Sequence, residues 1–244
     1  MLTLKDKVVL ITGGGSGIGL ACADLFLKEG ARVAITGRDQ AKLDKAKADL
    51  KGGDRLLPLA CDVTQVKQVE KVVTETQKRL GGIDILINNA GTNLKERGFR
   101  ELTTEAWDKL VRTNLDGAFY VIHAVFPEMA KRKDGVIINV VSTSGKRATP
   151  LGGVAYAAAK FGMSALGLAL GAEEKDSGVR FCNVYPGEVD TPILEFRPSP
   201  ISEEHRARIL KSEDVAAAIV FVARQPAYVS IPELVIKPTT QVYV

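Results

Sequence analysis

A doubly wound α/β fold, a parallel sheet of about seven strands with helices on both faces, is the class that this 244-residue sequence predicts. Three observations predict it. Short runs rich in β-branched residues alternate with amphipathic stretches of helix length, the rhythm of β–α–β crossovers. The strand runs are apolar almost throughout, as strands covered on both faces must be. The first strand also passes through a glycine-rich turn straight into a helix, which puts a binding crevice beyond the carboxyl ends of the strands.

The elements follow in order along the chain. Val8–Ile11 reads as the first strand, and Ile18–Glu29 as a helix stopped by Gly30 at its C-cap. Val33–Thr36 is the second strand, and a helix over Gln40–Leu50 ends at Gly52–Gly53. Leu56–Cys61 is the third strand, with Thr64 as N-cap of the helix Val66–Leu80. Ile83–Ile87 and Val136–Val141 are the fourth and fifth strands, separated by a long helical stretch around Leu115–Lys131. A helix over Val154–Lys175 leads to the sixth strand, Val179–Val184, and a short helix near Asp214–Ala223 precedes a last strand near Leu234–Ile236. Thr191 to Lys211 breaks the rhythm with Pro192, Pro198 and Pro200 and few core residues. A long connection of that kind in a compact domain is often a lid, so 191–211 is expected to cover the substrate. No linker or repeat divides the chain, and residues 1–244 are expected to form a single Rossmann-type domain.

Composition narrows the function classes. Hydrophobic residues make up 45% and charged residues 25%, which excludes a disordered chain. The longest apolar runs, such as Val8–Ile11, fall far short of the roughly 20 residues of a membrane span. Lys5, Asp6 and Lys7 precede a short apolar stretch with no small-residue cleavage site, so no signal peptide is read and a cytoplasmic location is expected. The net charge of +4 comes from 33 basic and 29 acidic residues that alternate, as in Lys42, Asp44, Lys45, Lys47 and Asp49. Such a pattern predicts solvated helix faces and no nucleic-acid partner. Cys22, Cys61 and Cys182 are odd in number and widely spaced, which predicts buried free thiols. His123 and His205 stand too far apart for a cluster, and no metal site is expected.

The turn after strand one reads Thr12-Gly13-Gly14-Gly15-Ser16-Gly17-Ile18-Gly19. Glycines there allow a tight turn and close approach to a pyrophosphate, while the helix N-terminus offers free N–H groups and a positive dipole end. The spacing is Gly13-x3-Gly17-x-Gly19 rather than strict GxGxxG.

At this point the sequence resembles the short-chain dehydrogenases/reductases. Their TGxxxGxG motif is matched by Thr12, Gly13, Gly17 and Gly19, and four further motifs follow at the family's intervals. Asn88-Asn89-Ala90-Gly91 matches NNAG, Asn114 the catalytic-helix asparagine, Ser142 with Tyr156-x3-Lys160 the serine and YxxxK pair, and Pro186-Gly187 with Thr191 the PGxxxT segment. The resemblance implies a nicotinamide dinucleotide held by Gly13, Gly15, Ser16, Gly17, Ile18, Gly19, Asn89, Ala90, Gly91, Tyr156, Lys160, Pro186, Gly187, Val189 and Thr191. Asp62 and Val63 match the pair at the adenine ring.

Aligned on Arg32-Val33, the position that is Asp in NAD-dependent members is Gly37, and Arg38 comes next. An arginine pairs bidentately with phosphate, which favours NADP(H) over NAD(H). Asp39 is the competing reading, should strand two run one or two residues longer, and Arg38 as a solvated loop charge is the plain one. Ser16, where many NADP-preferring members carry a base, gives no support.

Tyr156 and Lys160 are four residues apart on a helix and share one face. A phenol with pKa near 10 is a poor acid/base at neutral pH, and a nearby ammonium favours the phenolate. Ser142 would donate to the substrate oxygen as charge develops there; Ser144 is the alternative serine. The family's role for Asn114 is to hold a water that connects Lys160 to solvent, against the plain reading of a helix-interior polar residue.

The implied reaction moves a hydride between NADP(H) and a small-molecule carbonyl or alcohol, and the implied assembly is a homodimer or homotetramer. Two departures stand out: Ala159 and Val141 replace common Ser or Thr, and the ending Ile231 to Gln241 lacks the usual glycine-rich segment. That ending looks like a subgroup with hydroxy-acid and serine dehydrogenases, and leaves the tetramer contacts open. The substrate pocket is expected from Thr92–Arg100, Ser144–Leu151, Glu188 and 191–211. Lys95, Arg97 and Arg147 would suit an acidic substrate, and Ile193 and Phe196 an apolar one. A cofactor-binding sensor or scaffold on the same fold is the reading from another class.

Overall fold

The computed structural model describes residues 2–242; positions 1, 243 and 244 of the expected 1–244 domain lie outside the described residues. Seven strands, β1 (Val8–Thr12), β2 (Arg32–Gly37), β3 (Leu56–Ala60), β4 (Ile85–Asn88), β5 (Gly135–Val140), β6 (Val179–Pro186) and β7 (Glu233–Ile236), form one sheet. All six pairings are parallel, in the order β3-β2-β1-β4-β5-β6-β7. The chain builds outward from β1 in one direction and then from β4 in the other. That reversal opens a crevice at the carboxyl ends of β1 and β4.

Helices α1 (Gly17–Lys28), α2 (Gln40–Asp49), α3 (Val66–Leu80), α4 (Thr104–Val111), α5 (Gly117–Arg132), α6 (Val154–Glu173), α7 (Glu203–Arg208) and α8 (Ser212–Ala223) complete the fold. Phe26 of α1, Leu43 of α2 and Ile219 of α8 bury against one face of the sheet. Val69 and Val73 of α3 and Val121 and Val125 of α5 bury against the other, with Leu166 and Leu170 of α6 packed beside them. Among the described helices α6 alone is long and apolar enough to cross a membrane; here Ala155, Ala159, Met163 and Gly167 are buried against the fold while Phe161 and Leu168 stay exposed.

The strands and long helices lie where the sequence places them, within a few residues. Three differences have local causes. Helix α4 occupies a stretch where the sequence predicts no element, and a π turn, Arg112–Asp116, takes the first residues of the helix expected around Leu115–Lys131. The Thr103 side chain caps α4 by accepting from the Ala106 N–H at 3.2 Å. Helix α7 interrupts the 191–211 connection, capped by Ser202. Gln65, not Thr64, is the N-cap of α3, because the Thr64 hydroxyl donates to Asp62 Oδ1 at 2.8 Å.

One row of polar side chains crosses the apolar sheet. Thr12, Asn88, Asn139 and Asn183 are all buried. Asn88 Nδ2 donates to Asn139 Oδ1 at 3.4 Å, and Asn139 Nδ2 to Asn183 Oδ1 at 3.0 Å. Asn183 Nδ2 then donates to the Ser164 carbonyl of α6 at 2.9 Å and to the Tyr185 hydroxyl at 3.3 Å. The Tyr185 hydroxyl in turn donates to Glu233 at 2.7 Å, and Glu233 pairs with Lys146 at 2.6 Å. A buried amide must be satisfied, so the row fastens α6 onto β5 and β6.

Gly167 is where α6 meets this row: a Cβ there would collide with Asn183 Oδ1 and lie 2.7 Å from Asn139 Nδ2. Gly167→Ala is expected to destabilise the fold by about 2 kcal/mol through overpacking. For a chain of this size that lowers Tm by roughly 4–8 °C, which a thermal melt would read.

Candidate active site

The glycine turn is built against the end of β4. The Thr12 hydroxyl accepts from the backbone N–H groups of Asn89 and Ala90, both at 2.9 Å. Asn89 Nδ2 donates back to the carbonyls of Thr12 at 2.9 Å and Gly13 at 3.3 Å. Gly13 has φ +67, and a Cβ on Gly19 would strike the Gly13 carbonyl oxygen, so α1 can enter this close only without a side chain there. Ser16 makes no side-chain cap bond, which leaves the first N–H groups of α1 pointing at the crevice, an anion seat.

A cleft of about 980 Å³ runs from this turn along the carboxyl ends of the strands. Gly13, Gly15, Ser16, Ile18, Arg38, Asp62, Val63, Asn89, Ala90, Gly91, Pro186, Gly187, Val189 and Thr191 line it, together with Asn114, Ser142, Tyr156 and Lys160. Gly17 and Gly19 do not: Gly17 faces the Thr191 side chain, and Gly19 lies behind the turn. The Thr36 hydroxyl, at the end of β2 in the same cleft, is buried without a hydrogen-bond partner. The glycine cradle, the uncapped helix end and this orphan hydroxyl fit a dinucleotide.

Helix α6 brings Tyr156 and Lys160 to the middle of the cleft. Lys160 is 3% exposed; its Nζ donates to the Val140 carbonyl at 3.0 Å and lies 5.8 Å from the centre of the Tyr156 ring. Burial pushes the Lys160 ammonium down to about 7. Burial likewise raises the Tyr156 phenol, opposed by a hydrogen bond with Ser142 and by the charge of Arg97. Ser142 stands at the end of β5, where its Oγ accepts from the Ser144 N–H at 3.1 Å. Ser142 is the serine that acts on the Tyr156 phenol, and both Ser142 and Ser144 line the cleft.

Asn114 is fully buried inside the π turn, a distortion that often marks functional sites. Its side chain engages protein throughout: Nδ2 donates to the Thr92 and Leu110 carbonyls, each at 3.0 Å, and Oδ1 accepts from the Thr92 N–H at 3.1 Å. A Cβ on Gly91 would lie 2.8 Å from Asn114 Oδ1 and 3.7 Å from Lys160 Nζ. Both polar groups therefore converge on the loop after β4.

At the far end, β2 stops at Gly37 and Asp39 becomes the N-cap of α2, its carboxylate accepting from the Lys42 N–H at 3.0 Å. Arg38 is exposed on the cleft wall. Asp62 Oδ1 accepts from the Thr64 N–H and hydroxyl.

At the other end Thr92, Arg97, Arg147, Leu151 and Glu188 line the cleft, but Lys95 and Arg100 do not. Of the 191–211 connection only residues 191–197 reach it, Ile193 and Phe196 among them. Glu188 pairs with Arg197 and shares a hydrogen bond with His205 Nε2, so Glu188 holds the connection to the end of β6. Gln241 and Val242 also line the cleft and were missed from the sequence. Gln241 Oε1 accepts from the Glu188 N–H at 2.9 Å, and the unusual ending Ile231 to Gln241 was the signal for it. Cys22, Cys61 and Cys182 are free and buried, and burial raises each thiol, Cys61 to about 11. They are inert thiols. Among the described residues no group of three His, Cys, Asp or Glu side chains could hold a metal ion.

Residues 7–200 match the sequence model of the short chain dehydrogenase family. An uncharacterized oxidoreductase of Staphylococcus saprophyticus is 32% identical over 240 residues, 98% of this chain and 100% of that one. Among solved structures, the closed form of serine dehydrogenase complexed with NADP+ has a TM-score of 0.87 and 32% identity, covering 97% of this chain and 96% of that one. A 3-ketoacyl-(acyl-carrier-protein) reductase from Brucella melitensis complexed with NADH has a TM-score of 0.86 and 30% identity, covering 96% and 98%.

The buried lysine makes stability depend on pH. Below about 7 the folded chain bears the full penalty of a charged Lys160, and the penalty fades as pH rises to the ordinary value of 10.5. Within that window the unfolded chain holds a proton that the folded chain has released, so stability rises with pH. Lys160→Met is expected to remove a slope of up to roughly 1.4 kcal/mol per pH unit and to raise stability most at pH 7 and below. Urea unfolding of both proteins across this range, without cofactor, checks it.

Proposed function

The chain belongs to the short-chain dehydrogenase family of NAD(P)-dependent oxidoreductases, and from that premise we propose that it moves a hydride between NADP(H) and a carbonyl or secondary-alcohol substrate with Tyr156 as the general acid/base. The observation that carries this reading is the meeting of Ser142, Tyr156 and Lys160 in one cleft with the glycine turn. The dinucleotide, when bound, supplies or accepts the hydride at the carbonyl carbon.

The protein's own groups do the rest. The N–H groups at the start of α1 and the Gly13–Gly19 turn would hold the pyrophosphate of the dinucleotide. Ser142 orients the substrate oxygen and donates to it as negative charge develops. Tyr156 gives that oxygen a proton in the reductive direction and takes it back in the oxidative one. Lys160, close over the phenol and poised near neutrality, favours the phenolate when charged and passes protons outward along the Gly91–Asn114 side. Asn114 fixes that side by clamping Thr92. Residues 1–244 act as one domain, with 191–197 of the 191–211 connection covering the substrate end of the cleft; in a reducing cytoplasm the reaction runs toward the alcohol.

For the cofactor, the capping role of Asp39 favours NADP(H). Its carboxylate is engaged with α2, which leaves Arg38 as the group to meet a 2′-phosphate. Thr36, with its unpartnered hydroxyl, lies beside that position.

Two experiments test the reading. Fluorescence titration should show NADPH bound at least tenfold more tightly than NADH, about 1.4 kcal/mol, and Arg38→Ala should erase most of that preference; a preference for NADH would return the ribose to Asp39. Tyr156→Phe should lower kcat about 10²–10⁴-fold on a carbonyl substrate with NADPH binding kept. Tight cofactor binding with no turnover across a broad carbonyl panel would favour a sensor instead.

A further inference from the structure

Arg97, in the loop between β4 and α4, ties together three segments that are far apart in sequence. Its Nε donates to the Leu94 carbonyl at 2.9 Å and its Nη1 to the Leu151 carbonyl at 2.6 Å, while Nη2 donates to the carbonyl of Phe196. Leu94 belongs to the loop after β4, Leu151 to the loop from Ser142 to α6, and Phe196 to the short turn Pro192–Phe196 of the 191–211 connection. A guanidinium alone among side chains presents enough donors, in a fixed plane, to reach three carbonyls in different directions.

The stem of Arg97 is equally fixed. Gly153, the N-cap of α6, has φ +82, and a Cβ on it would lie 2.8 Å from the Arg97 Cβ. The first turn of the helix that carries Tyr156 is thus fitted against Arg97.

We propose that Arg97 is a positioning residue of the reaction, a three-way tie that holds the 191–197 segment and the start of α6 in one arrangement around the Tyr156 hydroxyl. This rests on the reading of Tyr156 as the acid/base group. The charge of Arg97 also acts on the phenol, easing its ionisation against the burial that opposes it. With three donors engaged by carbonyls, Arg97 is a frame for the substrate pocket more than an anchor for an acidic substrate.

The test compares the full-length wild type with Arg97→Gln and Arg97→Lys. Amide hydrogen exchange reads residues 151–153 and 192–196, and ultraviolet titration reads the Tyr156 phenol as a difference against Tyr156→Phe. Arg97→Gln should speed exchange in both segments about tenfold or more, raise the pH at which Tyr156 ionises, and lower kcat more than it changes KM. Its NADPH affinity should stay within about twofold of wild type. Arg97→Lys keeps a charge without the fork, so exchange should rise while the phenol titrates near its wild-type position. Unchanged exchange and an unchanged phenol in Arg97→Gln overturn the proposal; if that variant fails to fold, wild-type exchange in Arg97→Lys overturns it. A wild type that turns over no carbonyl while exchange and phenol respond removes the catalytic reading and leaves the tie. Turnover with flat exchange and a flat phenol removes the tie alone.

Discussion

The buried ammonium of Lys160 is the constraint on which the rest of this structure depends. Its displacement to about 7 corresponds to about 5 kcal/mol of preference for the neutral amine. The Val140 carbonyl it meets is a hydrogen bond to a charged group, worth about 1.5–3 kcal/mol, and no carboxylate acts on it. Helix α6 is held in place beside this position. Ser164 Oγ donates to the Gly145 carbonyl at 3.1 Å, and Asn183 holds the Ser164 carbonyl, one turn beyond Lys160. Fastened in this way, α6 keeps the lysine out of water, where burial favours the neutral amine.

The two ends of the cleft treat charge differently. Arg38 and Lys42 line the wall at the β2 end, Lys109 and Arg112 line it from α4 and the π turn, and none of them forms an ion pair among the described residues. At the opposite end Arg197 is paired with Glu188, and Arg97 is engaged by backbone carbonyls. The first arrangement leaves positive charge available to an anion. The second turns positive charge into structure, holding loops that would otherwise move independently.

Much of this was legible in the sequence because it is written in short-range signals. The strand runs around Ile11, Ile35, Ile87 and Ile138 are apolar almost throughout, and the glycine turn sits between a strand and a helix. The spacing of Tyr156 and Lys160 needed only helical geometry to place both on one face. What escaped depends on side-chain contacts that only the folded chain brings about. Thr64 reads as a helix cap until Asp62 is seen to engage it. Asn139 and Asn183 look like blemishes in apolar strands until the sheet sets them side by side. Arg97 resembles any loop cation, because two of its three carbonyl partners lie 54 and 99 positions away along the chain. Gln241 reaches the cleft only because the chain folds back over β6.

The row of asparagines has a consequence for how the sheet is assembled. Parallel strands made of valine and isoleucine say little about alignment, since sliding one past the next exchanges one aliphatic contact for another. Here Asn88 lies opposite Asn139, Asn139 opposite Asn183, and Asn183 opposite Glu233. A strand that slipped by one residue would turn its asparagine to the opposite face and strand a buried amide from its neighbours, at about 1–3 kcal/mol for each unsatisfied group. The row thus works as a registration key: it contributes modestly to the finished sheet and penalises the near-misses, so that the correct alignment is the one in which every amide is matched.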